Sequence, residues 1–252
     1  MNYKVISSIL LIFISTLCFA AKENPVLTEA NQLYAEAKYQ EAIVKYEQLL
    51  KQNLEAGELY YNLGNAYYKT GDIPKAILNY ERAKLLSPND EDITYNLELA
   101  NQHVLDKIEP LPQVFFLKWK HNIINSKSAD EWAWISAITF IFFIILLGIF
   151  ILSGMVSLKK MSFSIGISLF IVSIMTFTFA SSQKHKINKR KNAIVFTPSV
   201  TVKSSPAESG TNLFVIHEGL KVQVTDSVTN WKEIKLADGN KGWLRDTCVV
   251  KI

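Results

Sequence analysis

The chain has 252 residues, 49% of them hydrophobic, a formal net charge of +4 and two cysteines. That apolar content excludes a disordered chain, and two cysteines exclude a disulfide-stapled scaffold. The small net charge conceals an asymmetry: residues 22–110 hold nine Lys/Arg against fifteen Asp/Glu, and residues 182–252 hold twelve against six.

Residues 1–20 have the pattern of a secretory signal. Lys4 is a short basic start, residues 5–17 are apolar, and Cys18-Phe19-Ala20 has the small residues of a cleavage site. Lipidation at Cys18 is a second reading, poorly served by Leu17 before it, and retention as an uncleaved anchor is a third. Cleavage would leave Cys248 as the single thiol.

Residues 23–107 are self-similar at a period of 34. Asn31 pairs with Asn65, Leu33 with Tyr67, Ala42 with Ala76, Ile43 with Ile77, Tyr46 with Tyr80 and Glu47 with Glu81. Ala30 pairs with Gly64, a position where two helices approach closely. Tyr60, Leu63-Gly64, Tyr67, Gly71, Ala76, Tyr80, Ala83 and Pro88 stand at spacings that resemble the tetratricopeptide repeat, a helix–turn–helix unit. Gly71 suits the turn, and Ser87-Pro88-Asn89-Asp90 breaks the chain before a third helix that repeats Tyr61-Asn62-Leu63 as Tyr95-Asn96-Leu97. That helix is expected to cap the array.

Residues 108–128 begin with Pro110 and Pro112, which favour an extended segment. Phe115, Phe116, Leu117, Trp119 and Ile123 then mix with Lys118, Lys120 and His121, as in a short amphipathic helix at a membrane interface or packed against the array. Residues 129–181 read as a transmembrane hairpin: residues 133–152 and 163–181 are uncharged and long enough to span ~30 Å of hydrocarbon, and Lys159 and Lys160 lie between them. Ser128 and Glu131 form a capping-box pattern, and Trp132 and Trp134 suit the headgroup level. A basic linker, residues 182–192, carries Lys184, Lys186, Lys189, Arg190 and Lys191, a cluster suited to anionic headgroups rather than nucleic acid.

A hairpin leaves both flanking segments on one side. The export signal predicts that side to be periplasmic, with an inner-membrane anchor; the basic cluster, by the positive-inside rule, argues the reverse. The export signal commits the first domain during synthesis and is preferred.

Residues 193–252 alternate β-branched residues in short runs separated by Ser205-Pro206, Glu218-Gly219 and Asp238-Gly239-Asn240. So many short strands in about sixty residues predict a small closed barrel. Residues 202–206, His217-Glu218-Gly219, Trp231 and Gly242-Trp243 resemble the bacterial SH3-like domain. Gly242 would let the backbone turn while the Trp243 indole covers the core.

No catalytic constellation is visible. His103, His121, His185 and His217 lie in different segments, no His-Glu-x-x-His pair exists, and no phosphate-cradling glycine loop occurs. No enzyme activity, cofactor or metal is expected. The order of parts, namely signal, repeats, hairpin and SH3-like module, resembles the BatE-type proteins of Bacteroidetes, associated with aerotolerance. That resemblance implies a non-enzymatic scaffold working beside membrane-anchored von Willebrand factor A-domain proteins and a MoxR-type ATPase in an envelope-stress complex. A cell-wall sensor, with the SH3-like module on peptidoglycan, is the competing reading. In tetratricopeptide arrays the first helix of each pair lines a groove. Asn31 and Asn65, and Asn62 and Asn96, recur there 34 residues apart, with Tyr61, Tyr68 and Tyr95 beside them. Asparagine both donates and accepts, so this row could hold a peptide backbone, or could merely solvate the groove. Leu27 and Glu98 stand where a carboxylate clamp would need basic residues.

Overall fold

The computed structural model describes residues 24–112 and 114–252; the expected signal segment and Gln113 lie outside the described residues. Side-chain caps start three of the first five helices. In α1 (Pro25–Ala35), Asn24 Oδ1 accepts from Val26 N at 3.0 Å and Pro25 stands in the first turn. Helices α2 (Tyr39–Lys51) and α3 (Gly57–Lys69) follow. Asp72 caps α4 (Ile73–Leu86) and Asp90 caps α5 (Glu91–Asn101), each accepting a backbone N–H three residues on. The turn after α3 uses Gly71 at φ +82°, and 34 residues earlier Ala37 takes φ +59° without glycine's freedom. That left-handed alanine costs on the order of 1 kcal/mol.

The repeat pairs meet at small residues. Ala30, Ala42, Ala76 and Ala83 are fully buried. A Cβ at Gly64 would lie 2.7 Å from a Tyr80 ring carbon, so glycine is what lets α4 close onto α3. Pro88 stands, half-buried, in the turn before α5.

Helix α6 (Phe115–Asn125) leads into α7 (Ala129–Leu152), which opens on the expected capping box: Glu131 N donates to Ser128 Oγ at 3.2 Å and Ser128 N to Glu131 Oε2 at 2.7 Å. Helix α8 (Val156–Lys189) returns alongside. Both α7 and α8 are long and apolar enough to cross a membrane. Their contact seam is made of small residues, Ser136, Ser162, Gly166, Ser173, Thr176 and Ala180. At its centre Ser136 Oγ donates to Ser173 O and Ser173 Oγ to Ser136 O, each at 3.0 Å. Aromatic pairs Trp132–Phe179, Phe143–Phe170 and Phe150–Phe163 flank the seam, while Phe142, Ile151, Ile171 and Phe177 are more than half exposed. The chain's own core therefore does not bury this hairpin.

The expected basic linker is not a linker: α8 continues through Lys189 and ends at Arg190, in the left-handed region at φ 33°. Neither glycine nor proline interrupts residues 182–189, and Lys186 and Lys189 favour the helix's negative C-terminal end. Helix α6 is tied to this hairpin. The Trp132 indole N–H donates to Ile124 O at 2.9 Å, and the Gln183 amide donates to Ile124 O and, at 2.6 Å, to Lys127 O.

The remaining residues form seven antiparallel strands, β1 (Asn192–Val195), β2 (Ser199–Lys203), β3 (Asn212–His217), β4 (Lys221–Val228), β5 (Trp231–Lys235), β6 (Lys241–Arg245) and β7 (Val249–Lys251). They lie in one sheet in the order β3-β2-β6-β5-β4-β1-β7. The expected closed barrel is corrected here, because β3 and β7 are the sheet's two ends and do not pair. The helical array touches the β7 end at one point, where Arg82 of α4 donates to Lys251 O at 2.8 Å. The alternation along β6 also redirects Trp243. Gly242 and Leu244 face the core, while Trp243 lies half-exposed on the opposite face. Trp231 is the buried tryptophan, with the Arg245 guanidinium 4.7 Å from its ring. Gly242 is needed for close approach, since a Cβ there would meet Val202 Cγ1 at 2.5 Å and Lys203 O at 2.9 Å.

Array and sheet share one apolar core. Ile77, Leu97 and Val104 pack in the same cluster as Ile194, Val195, Leu220 and Ile252. The turn before β4 is sunk against the array: Gly219 has φ +83°, and a Cβ there would lie 3.0 Å from Val104 and 3.4 Å from Ile77. Asp106 clasps this turn, accepting from His217 N at 2.6 Å and facing His217 Nδ1 at 3.0 Å. Lys221 pairs with Glu81 at 2.5 Å, and Arg190 with Glu55 at 2.5 Å. The proline segment runs along the sheet, where Leu111 N donates to Ala237 O at 3.1 Å. Asp106→Ala should cost about 1–3 kcal/mol by leaving the His217 N–H without its acceptor. Denaturant melting of the purified chain checks this, and unchanged stability would show that apolar contact alone holds the sheet.

Candidate functional site

The expected asparagine row is hydrogen-bonded as a ladder. Asn31 on α1 accepts through Oδ1 from Tyr46 Oη at 2.7 Å and from Asn62 Nδ2 at 3.2 Å. One repeat later Asn65 on α3 accepts through Oδ1 from Tyr80 Oη at 2.7 Å and from Asn96 Nδ2 at 2.9 Å. Each rung thus joins a first helix, its own second helix and the next first helix. Tyr46 and Tyr80 are each 1% exposed. A phenol buried that deeply must find an acceptor, and asparagine supplies it. Burial pushes the Tyr46 hydroxyl up to about 12, and raises Tyr80 further, so both stay neutral donors at pH 7.

The ladder uses half of each amide. Two donors saturate the Oδ1 atoms of Asn31 and Asn65, while no hydrogen bond to another described residue engages their Nδ2 groups. For Asn62 and Asn96 the reverse holds, with Nδ2 donating inward and Oδ1 left open. What stays available along the first helices is two amide NH2 groups and two carbonyl oxygens, the complement of an extended peptide's C=O and N–H groups.

The three tyrosines differ. Tyr61 is half-buried, its ring 6.1 Å from that of Tyr80 and its hydroxyl accepting from Asn96 Nδ2 at 3.0 Å. Tyr68 packs edge-on against His103 at 5.8 Å, with its hydroxyl 3.3 Å from Nε2. No repeat partner or motif marks His103 in the sequence as a neighbour of Tyr68. Tyr95 is 67% exposed, beside a depression of about 310 Å³ with an acidic rim of Asp90, Glu91 and Glu98. Leu27 packs against the core. The acidic rim and Leu27 offer no grip for a terminal carboxylate.

Elsewhere, His217 is held by Asp106, and Cys248 is a half-buried free thiol packed against the core. Among the described residues no three His, Cys, Asp or Glu side chains gather as a metal site would require.

Removing Asn65 should therefore damage the fold as well as the surface. Asn65→Ala strands the buried Tyr80 hydroxyl, and thermal melting should show a loss of about 1–3 kcal/mol. Restoration of the wild-type midpoint by adding Tyr80→Phe would confirm the rung, and failure of that rescue would refute it.

Known proteins match parts of this chain. Residues 57–90 match the tetratricopeptide repeat family. Sperm-associated antigen 1 of Rattus norvegicus is 35% identical over 74 residues, 29% of this chain and 8% of its own, so the chain spans under a tenth of that relative. The Sgt2 TPR domain from Aspergillus fumigatus aligns in structure over 65% of this chain and 80% of its own, at 15% identity and a TM-score of 0.29. Residues 57–90 thus form a repeat of tetratricopeptide type.

Proposed function

We propose that this chain is a non-enzymatic scaffold, anchored in a membrane by α7 and α8, whose repeat array captures a peptide segment of a partner protein. The observation that carries the reading is the division of the array's two sides. The sheet docks on α4 and on the end of the array, through Ile77, Glu81, Arg82 and Val104. The other side keeps the half-used asparagine amides and the exposed Tyr95. The acidic rim beside Tyr95 favours a partner segment with basic residues.

The export-signal pattern of residues 1–20 supports an inner-membrane location with array and sheet in the periplasm. The order of parts supports a place in a Bat-type complex with von Willebrand factor A-domain proteins and a MoxR-type ATPase, and the strand motifs support an SH3-like role for the sheet. A second reading, binding of peptidoglycan by the sheet, is favoured by Trp243, half-exposed in register between Lys203 and Glu233.

Two experiments test these readings. A photo-crosslinker at Tyr95 should capture a protein in intact cells, while one at Val44, exposed on α2, should not. Equal capture at both, or capture of wall fragments through Trp243 instead, would overturn the groove as the working surface. A reporter active only outside the cytoplasm should work after Ile252 and fail near Ser157. The opposite pattern would invert the orientation.

A further inference from the structure

A cavity of about 470 Å³ opens where α4, α6, the end of α8 and the sheet meet. Gln183 of α8 ties the α6 wall to it through the carbonyls of Ile124 and Lys127, and the Arg190–Glu55 pair ties the end of α8 to the array. The site is thus assembled from four elements fixed to one another.

Its charge is one-sided. Six cationic side chains line it, Lys84, Lys186, Lys189, Arg190, Lys191 and Lys221, against one acidic side chain, Glu81. Glu81 is already paired with Lys221, and Arg190 with Glu55. Among the described residues no carboxylate pairs with Lys84, Lys186, Lys189 or Lys191; Lys186 reaches only the Asn125 amide oxygen, at 3.3 Å. Partial burial, then the Lys186 ammonium, lowers the pKa of His121 on the α6 wall.

The near side of the cavity lies at headgroup depth. The second apolar run ends at Ser181, and at 1.5 Å per residue Lys186 lies about 8 Å beyond it and Lys189 about 12 Å. The headgroup layer extends roughly 5–8 Å past the hydrocarbon on each side. On another side of α6, Phe115, Phe116 and Trp119 stand 82%, 63% and 55% exposed, as side chains seated among headgroups and acyl tails do. We infer that this cavity is a binding site for the phosphate of an anionic phospholipid, held between α4, α6 and the end of α8. The inference rests on the reading that α7 and α8 cross a membrane. It adds to that reading a specific site, in which a lipid headgroup bridges the array to the hairpin.

The test uses the full chain in phosphatidylcholine nanodiscs with and without phosphatidylglycerol, with retained lipid counted by native mass spectrometry. Phosphatidylglycerol should be retained over phosphatidylcholine, and Lys186→Gln with Lys189→Gln should weaken its retention on the order of tenfold. Lys84→Gln, which alters neither apolar helix, should weaken it severalfold. Lys159→Gln with Lys160→Gln, at the hairpin tip, should leave it unchanged. Equal loss from the tip variant, or no loss from the cavity variants, overturns the site. Saturation by inorganic phosphate without any lipid preference overturns the lipid assignment. Carbonate extraction separates the two levels of the argument: a chain that extracts refutes the membrane reading, and one that stays embedded yet shows no preference for phosphatidylglycerol refutes only the site.

Discussion

The contact on which this architecture depends is the seating of the turn before β4 against the end of the helical array. Gly219 brings its backbone to van der Waals distance of Val104 and Ile77, and Asp106 holds the adjoining His217 through both backbone and ring. Residues 106 and 217 are thereby adjacent, although α6, α7, α8, β1 and β2 lie between them in sequence. A chain that leaves the array near Pro112 and must return to it by Asn192 can do so through two long helices only as a hairpin. Arg82 adds a bond to the last strand and so ties that end of the sheet to the array.

The repeat geometry follows a related economy of polar groups. Two large tyrosines can sit at the centre of the array because each has an asparagine carbonyl at 2.7 Å. The second amide on each rung links consecutive first helices, so the row is both a brace between repeats and a line of remaining donors and acceptors. A structural role and a recognition role, alternatives when only the sequence is considered, occupy different atoms of the same side chains. The cost of a buried unpaired hydroxyl is what holds the rungs in register, and with them the outward-facing atoms.

The hairpin is organised differently. Between two helices that are apolar on all sides no hydrophobic force selects a face, so small residues and the reciprocal Ser136–Ser173 bonds choose it. Beyond that seam α8 stays helical into the basic cluster. Its lysines therefore stand at defined heights and angles on a rigid rod, and Gln183 and Arg190 attach that rod to α6 and to the array.

The local and periodic features were legible in the residues themselves. The 34-residue offset, the Gly71 turn, the Gly64 close approach, the Ser128–Glu131 capping box and the two apolar runs each depend on neighbours within a few turns or on exact repetition, and each is found in the structure. Tertiary structure alone decided the rest. Strand content was readable, but whether the end strands β3 and β7 met depended on the pairing order of the whole sheet. Trp243 carried a core-like signal, yet the two-residue alternation with Gly242 and Leu244 turned it outward. His217 looked isolated because its partner, Asp106, is 111 residues away. Residues 182–189 looked like a linker because charge marks exposure, whereas helix continuation depends on the absence of a breaker and on what the helix end can grip. Sequence periodicity encodes contacts that recur. A contact made once, between segments brought together by docking, leaves no period to read.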